Sequence, residues 1–337
     1  MSDRDILVWG AGAIGGTMGA YLARAGLDVT FVDVDLAHVA AMLDTGLCIK
    51  APDETLQIRA EAYTPNALQG KWKRIFLAVK AQHTRQACEQ LLPHLADDGY
   101  VVSFQNGLCE RQIAAVVGTP RTVGAFINFG ADWEAPGEIL YSNRAAVVVG
   151  EIDGRHSARV QALHRDLLAF EPDAILSEQV LAYLWGKLAY GSFLFAQAVG
   201  QAGIADCLDR PELLPLWRGL AAEVIAVARA EKVSLIGFNG FEPEAFMPGA
   251  SEARARLSVA AMADFNRPNP KTHSGVWRDL AIRKRRSEVD MMEELAALGR
   301  LHGLACPKLA AMTSMIRSIE TGNRVQHDDN LVELAHA

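Results

Sequence analysis

A short apolar run followed at once by spaced glycines constrains this chain more than any other feature. Residues 6–16 read Ile-Leu-Val-Trp-Gly-Ala-Gly-Ala-Ile-Gly-Gly, so Gly10, Gly12 and Gly15 give G-x-G-x-x-G between a strand pattern and a helix pattern. In that context each glycine has its own duty. Gly10 permits the tight turn, Gly12 lets a pyrophosphate approach the backbone, and Gly15 lets the helix lie close on the strand, with the helix N-terminus facing the phosphates. Gly10, Ala11, Gly12, Ala13, Ile14 and Gly15 are therefore the expected cofactor cradle. The second β-rich run ends Phe31-Val32-Asp33, with Asp33 placed 18 positions beyond Gly15. A carboxylate there accepts hydrogen bonds from ribose hydroxyls and repels a 2′-phosphate. Val34, Asp35, Leu36 and Ala37 offer no cation. NAD is the expected dinucleotide, with NADP less favoured.

The rest of the chain divides in two. Its 337 residues suit two domains. β-rich runs at residues 6–9, 29–32, 74–79, 101–104 and 122–126 alternate with amphipathic segments at 16–25, 37–43, 86–95 and 110–117. That alternation predicts a parallel sheet with crossover helices. Residues 138–141 and 145–149, separated by Ser142-Asn143-Arg144, predict a hairpin that adds antiparallel strands to the sheet. From about residue 178 only helical spacing remains, at 180–199, 213–230, 253–264, 283–302 and 308–321. The expected architecture is α/β: a Rossmann-type, doubly wound sheet that binds NAD(P) over residues 1–177, then an all-helical substrate and dimerisation domain over 178–337. The stretch Phe-Asn-Arg-Pro-Asn-Pro-Lys-Thr-His-Ser-Gly at 265–275 is too proline-rich for helix and serves either as a connector or as a lid.

Composition excludes several classes. A net charge of −7 argues against nucleic-acid affinity through overall charge. The basic run Arg283-Lys284-Arg285-Arg286 is followed by Glu288, Asp290, Glu293 and Glu294, and predicts a solvated, charge-balanced helix start. Residues 180–204 are long and apolar, but Lys187, Gln197 and Gln201 interrupt them, so a buried helix is expected and no membrane partner. Five scattered cysteines without a C-x-x-C pair suit a reducing compartment. The opening Met1-Ser2-Asp3-Arg4-Asp5 lacks a signal-peptide layout, and a soluble cytoplasmic protein is expected. No histidine spacing predicts a metal site, and His327-Asp328-Asp329 is expected to be a loop capping the last helix. The apolar tail at 331–334 packs either on a partner subunit or on its own domain.

Three further residues bring chemistry. Lys80 ends the run Phe76-Leu77-Ala78-Val79, and Asn106-Gly107 follows the next strand, both at the sheet edge that faces a cofactor. Lys187 sits inside Leu184-Trp185-Gly186-Lys187-Leu188, where a lysine is costly unless paired or used. With these segments the chain resembles the ketopantoate reductase (2-dehydropantoate 2-reductase) family: Gly-Ala-Gly-Ala-Ile-Gly-Gly at 10–16, Leu-Ala-Val-Lys-Ala-Gln-His-Thr around Lys80, Ser-Phe-Gln-Asn-Gly-Leu around Asn106, Leu-Trp-Gly-Lys-Leu-Ala-Tyr around Lys187, and Ser-Glu-Val-Asp around Glu288. The resemblance implies hydride transfer between a nicotinamide and C2 of a 2-keto or 2-hydroxy acid. It implies Lys187 as the general acid, Asn106 holding the substrate or the nicotinamide carboxamide, Glu288 near the lysine, and Lys80 and Gly130 lining the cofactor site. An ammonium beside a developing alkoxide stabilises charge found mainly in the transition state.

The chain also departs from that family. Members usually carry asparagines four and eight residues after the lysine, on one helical stripe. Here the stripe reads Lys187, Gly191, Phe195. The family's Ser-Ser-Met-Leu-Gln-Asp segment is altered to His273-Ser274-Gly275-Val276-Trp277-Arg278-Asp279. Many members use an arginine after the second strand to select NADPH, where this chain has Asp33 and Val34. The expectation is a substrate with a larger or less polar group than ketopantoate, lined by Gly191, Phe195 and Ser274, with Arg278 or His273 gripping its carboxylate. The alternatives are a non-catalytic NAD-binding sensor and a 3-hydroxy acid dehydrogenase. The apolar helices of the second domain allow a homodimer.

Overall fold

The computed structural model describes residues 6–269 and 271–336. The opening pentapeptide inspected for a leader, and Pro270 of the proline-rich stretch, lie outside the described residues. The chain divides into two compact units, one ending at Leu181 and the other beginning at Ala182.

The first unit runs β1 (Ile6–Trp9), α1 (Ala13–Arg24), β2 (Val29–Val32), α2 (Leu36–Asp44), β3 (Leu47–Lys50), β4 (Thr55–Ile58), β5 (Glu61–Tyr63), β6 (Trp72–Leu77), α3 (Thr84–Leu91), β7 (Leu95–Ser103), α4 (Glu110–Val117), β8 (Thr122–Ile127), β9 (Gly130–Ala135), β10 (Glu138–Asn143), β11 (Val147–Glu151), α5 (Ala158–Leu167) and β12 (Ile175–Leu176). Eight strands form one sheet in the order β12-β11-β8-β7-β6-β1-β2-β5, parallel except for the β8–β11 pair. The chain leaves β1 for β2 and β5 on one side, then returns to β6 on the other. This is a doubly wound Rossmann-type sheet, and the order reverses beside β1, where such sheets leave a crevice at the strand carboxyl ends. β1 and β2 are wholly buried, as continuous apolar strands under helices must be.

A second sheet, β4-β3-β10-β9, packs on α1 from the side away from β1. The helix fits because it is small on both faces. A Cβ on Gly15 would lie 2.8 Å from Val8 Cγ1, and one on Gly16 would lie 2.4 Å from Ile139 Cδ1 of β10.

This second sheet overturns the expected hairpin. Residues 138–143 pair with β9 and β3 in the small sheet, whereas Val147–Glu151 pairs antiparallel with β8 in the large one. The true hairpin is β9–β10, turned at Pro136-Gly137 with Gly137 at φ +76°. Its first strand, Gly-Ala-Asp-Trp-Glu-Ala, carries too little β-branched sequence to advertise itself.

In the second unit helices dominate: α6 (Val180–Gln197, whose first two residues precede the division), α7 (Ile204–Leu208), α8 (Leu214–Ala230), α9 (Glu252–Asn266), α10 (Gly275–Ala281), α11 (Asp290–Leu301), α12 (Pro307–Glu320) and α13 (Asp329–His336). Beyond β12 the described residues add only an isolated bridge between Phe238 and Phe241. Helix α8 is the hub, packing on α9, α11, α12 and α13. Leu331 and Leu334 of α13 are fully buried, so the apolar tail packs on its own unit. The helix expected from residue 283 begins only at Asp290. Asp279, 2% exposed, accepts from both Arg283 and Arg285, which curls the basic run into a turn with Lys284 at φ +49°. Those arginines neutralise a buried carboxylate instead of starting a helix.

Candidate active site

In the first unit the glycine turn joins the β1 carboxyl end to α1. Gly10 has φ +99°, and a Cβ there would lie 2.9 Å from the backbone of Ala78 and Val79 after β6. A Cβ on Gly12 would meet nothing within 4 Å. The turn is thus sealed against the sheet at Gly10 and Gly15 and open at Gly12, the shape a backbone-bound phosphate requires. The N–H groups of Ala13, Ile14 and Gly15, in the first turn of α1, lack intrahelical acceptors by helix geometry. Asp33 accepts from the Ala11 N–H through Oδ2 (2.9 Å) and from the Asp35 N–H through Oδ1 (3.0 Å). Each oxygen keeps a lone pair for a ribose hydroxyl. These residues fit a dinucleotide.

Lys80 and Asn106 follow the adjacent strands β6 and β7. Gln105, buried, ties their loops together by donating to Val79 O (2.9 Å) and Thr84 Oγ1 (2.8 Å). Asn106 is exposed and Lys80 half-buried. Gly130 opens β9, where a Cβ would lie 2.4 Å from Ser142 Oγ and 2.1 Å from Asn143 Oδ1. Two residues here escaped the sequence reading. Glu110 begins α4, and burial pushes its carboxyl up to about 7, against smaller opposing pulls from its own backbone and the Ser103 hydroxyl. A charged letter opening a helix gives no sign of burial. His38 of α2 is 1% exposed and donates through Nε2 to Ala11 O (2.9 Å). That contact is tertiary, and no local pattern signals it.

In the second unit Lys187 lies on α6. Its neighbour Gly186 is obligatory, because a Cβ there would lie 2.1 Å from Ile236 O, and the Ile236 N–H bonds Ala182 O (3.1 Å). The Trp-Gly-Lys string thus lets a loop lie flat along the helix next to the lysine. Burial lowers the Lys187 ammonium from its ordinary range to about 8, with Glu288 pulling back the other way. Glu288, 7% exposed, is fixed by its neighbour Ser287, whose N–H and hydroxyl both donate to Glu320 Oε1 (2.7 and 2.6 Å).

Along α6, Leu181, Tyr183, Lys187, Gly191 and Leu194 are the half-buried positions. Gly191 leaves room, its nearest neighbour being Met292 Cε at 3.8 Å from a built Cβ. Phe195 is 5% exposed. The Ser274 hydroxyl is committed within the fold, capping α10 through the Trp277 N–H (3.1 Å) and donating to Leu194 O (3.2 Å). His273 is also engaged: Nε2 bonds Gln201 O (3.0 Å), Nδ1 bonds Thr272 Oγ1 (2.9 Å), and the ring stacks on Trp277. Arg278 projects from α10 and is half-buried. Asp328 Oδ1 accepts from the Gln201 N–H (2.6 Å) and the Ala202 N–H (3.1 Å) in the loop before α13. Among the described residues no cluster of His, Cys, Asp or Glu is arranged to hold a metal, and no helix is long and apolar enough to cross a membrane.

A glycine turn on a doubly wound sheet, followed by a helical unit carrying a depressed lysine, defines a class of dinucleotide-dependent fold. Two family models match, "Ketopantoate reductase PanE/ApbA" over residues 6–154 and "Ketopantoate reductase PanE/ApbA C terminal" over residues 179–320, and the chain belongs to the ketopantoate reductase family. It is 27% identical over 61% of its length to an uncharacterised oxidoreductase, YkpB, of Bacillus subtilis, and the match spans 65% of that protein. It is 26% identical to the 2-dehydropantoate 2-reductase of Archaeoglobus fulgidus over 96% of this chain and 100% of that one. Among solved structures, D-mandelate dehydrogenase in a ternary structure with NADH and anilino(oxo)acetate shares the fold at TM-score 0.82 and 18% identity, over 94% of this chain and 99% of that one. A dimeric ketopantoate reductase from Staphylococcus aureus does so at TM-score 0.70 and 16% identity, over 95% and 100%.

Proposed function

We propose that this protein is an NAD-preferring oxidoreductase interconverting a 2-keto acid and its 2-hydroxy acid, the substrate carrying a group larger or less polar than that of ketopantoate. The observation that carries this reading is the Lys187 amine, brought to about 8 on a helical stripe that continues as Gly191 and Phe195. A bound nicotinamide would supply or accept the hydride. Lys187 gives its proton to the carbonyl oxygen in reduction and takes it back in oxidation, and a pKa near the working pH suits both directions. Glu288 keeps the lysine from losing its charge altogether in an apolar setting. Asn106 orients the substrate or the carboxamide, while Gly10 to Gly15, Lys80 and Gly130 line the cofactor. Arg278, half-buried on α10, is the cation assigned to the substrate carboxylate.

NAD over NADP is supported by Asp33, which holds the Ala11 N–H and would place a negative charge against a 2′-phosphate. The larger substrate group is supported by the space at Gly191, and by the fold shared with a D-mandelate dehydrogenase seen with anilino(oxo)acetate. A homodimer is supported by the dimeric relative of the same fold, and light scattering would test it. The deciding experiment follows nicotinamide absorbance with a panel of 2-keto and 2-hydroxy acids of graded side-chain size. Aromatic or branched keto acids with NADH are expected to exceed ketopantoate in kcat/KM. A kcat/KM for ketopantoate above about 10⁴ M⁻¹s⁻¹ overturns the substrate assignment, and a clear NADPH preference overturns the cofactor assignment.

A further inference from the structure

We infer that His38 is a positioning residue for the dinucleotide turn, acting as a strut between that turn and the β9–β10 hairpin of the second sheet; this rests on the dinucleotide reading above. The imidazole sits where three segments meet. Its Nδ1 accepts from the Gly137 N–H (2.9 Å) at the hairpin tip and from Trp133 Nε1 (3.4 Å) in β9. A ring nitrogen that accepts carries no proton, so Nε2 holds it and donates to Ala11 O (2.9 Å). The backbone of His38 is held as well, its N–H donating to Asp35 Oδ1 (3.1 Å) at the start of α2.

The consequence falls on one peptide unit. In a trans peptide the C=O and N–H point in opposite directions. Drawing Ala11 O toward His38 therefore turns the Gly12 N–H the other way, on the residue whose Cβ position is open. The preceding peptide is fixed by the Ala11 N–H donating to Asp33 Oδ2 (2.9 Å). Both peptides flanking Ala11 are thus locked before any ligand arrives, and the phosphate-facing donor needs no reordering on binding. The second sheet supplies the other end of the strut through Gly137 and Trp133.

Two replacements separate the two nitrogens. In His38→Asn the side-chain oxygen can replace Nδ1 as acceptor for Gly137, and the donor to Ala11 is lost. In His38→Gln the amide nitrogen can replace Nε2 as donor to Ala11. The probe is NADH, titrated by nicotinamide fluorescence without substrate, with melting temperature recorded alongside. His38→Asn is expected to raise the NADH Kd about tenfold and His38→Gln less than about threefold, with melting temperatures that do not follow that order. Equal Kd changes in the two, or none in His38→Asn, overturn the inference. Should His38→Asn fail to fold, Gly137→Ala replaces it; that residue has φ +76°, and its Cβ would lie 3.0 Å from Ala41 Cβ. It is expected to raise the Kd at least about threefold, and an unchanged Kd overturns the strut. Wild-type protein that binds neither NADH nor NADPH defeats the dinucleotide reading itself, and with it this one.

Discussion

The glycine turn of the first unit and the lysine helix of the second are prepared for chemistry by opposite means. The turn is built from main chain: Gly10 and Gly15 have no room for a methyl, Gly12 has ample room, and Asp33 and His38 hold the peptides between them. Its readiness is geometric. The lysine is a side chain whose pKa burial depresses, and its readiness is a protonation state that pH controls directly. Damage to the first is expected to appear as lost affinity or lost folding, and damage to the second as lost turnover.

The sharpest way to break that contrast is Lys187→Ala. The expected outcome is a fall in kcat of about 10²–10⁴-fold with the NADH Kd unchanged within about threefold, measured by steady-state kinetics and by fluorescence titration. A non-catalytic sensor would show no kcat to lose. Next come two glycines of the turn. Gly15→Val is expected to cost about 3 kcal/mol or more in denaturant unfolding, because it meets Gly10 O and Val8. Gly12→Ala is expected to leave stability within about 0.5 kcal/mol while raising the NADH Kd about tenfold.

The pH profile sharpens the comparison further. Reduction needs the protonated lysine, so its kcat/KM is expected to fall as pH rises through about 8, while oxidation rises toward a plateau above it. The smallest effect expected is that of Glu110→Gln in the first unit. Its folded pKa is raised from 4.5 to about 7, so the folded state holds a proton that the unfolded state releases in that window, and stability falls as pH rises through it. The variant is expected to lose that slope and to exceed the wild type by about 1 kcal/mol at pH 8, in denaturant titrations at several pH values.

The same contrast explains what was legible in the sequence. Strands at 6–9 and 29–32 stand where expected, because a strand buried on both faces writes itself as a continuous apolar run. Glycine spacing is equally readable, since backbone conformation limits which residue can occupy each place. The second sheet was not legible. Its strands Leu47–Lys50 and Thr55–Ile58 are short and mix polar with apolar residues, and the β10 strand that joins them to the rest of the sheet lies far away in the chain. The false helix start at 283 has a like cause, as only the fold reveals that Asp279 claims two of its arginines. Lys187 drew notice as a charge among apolar residues, whereas the environment that lowers its pKa belongs to the tertiary structure. His38 left no trace at all, because its meaning lies wholly in what it touches.

Helix α1 is pressed between two sheets, with Val8 on one side of Gly15 and Ile139 on the other side of Gly16. Adaptation by single steps is therefore blocked along this helix: a methyl gained at Gly19 has to be matched by a trimmed Phe31 on the facing strand, while one at Gly15 or Gly16 also meets a backbone oxygen that no trimming removes. Laboratory evolution of this scaffold would find compensated double changes here and tolerate solitary ones on the exposed positions of α2, where Leu36 and Leu43 already face water.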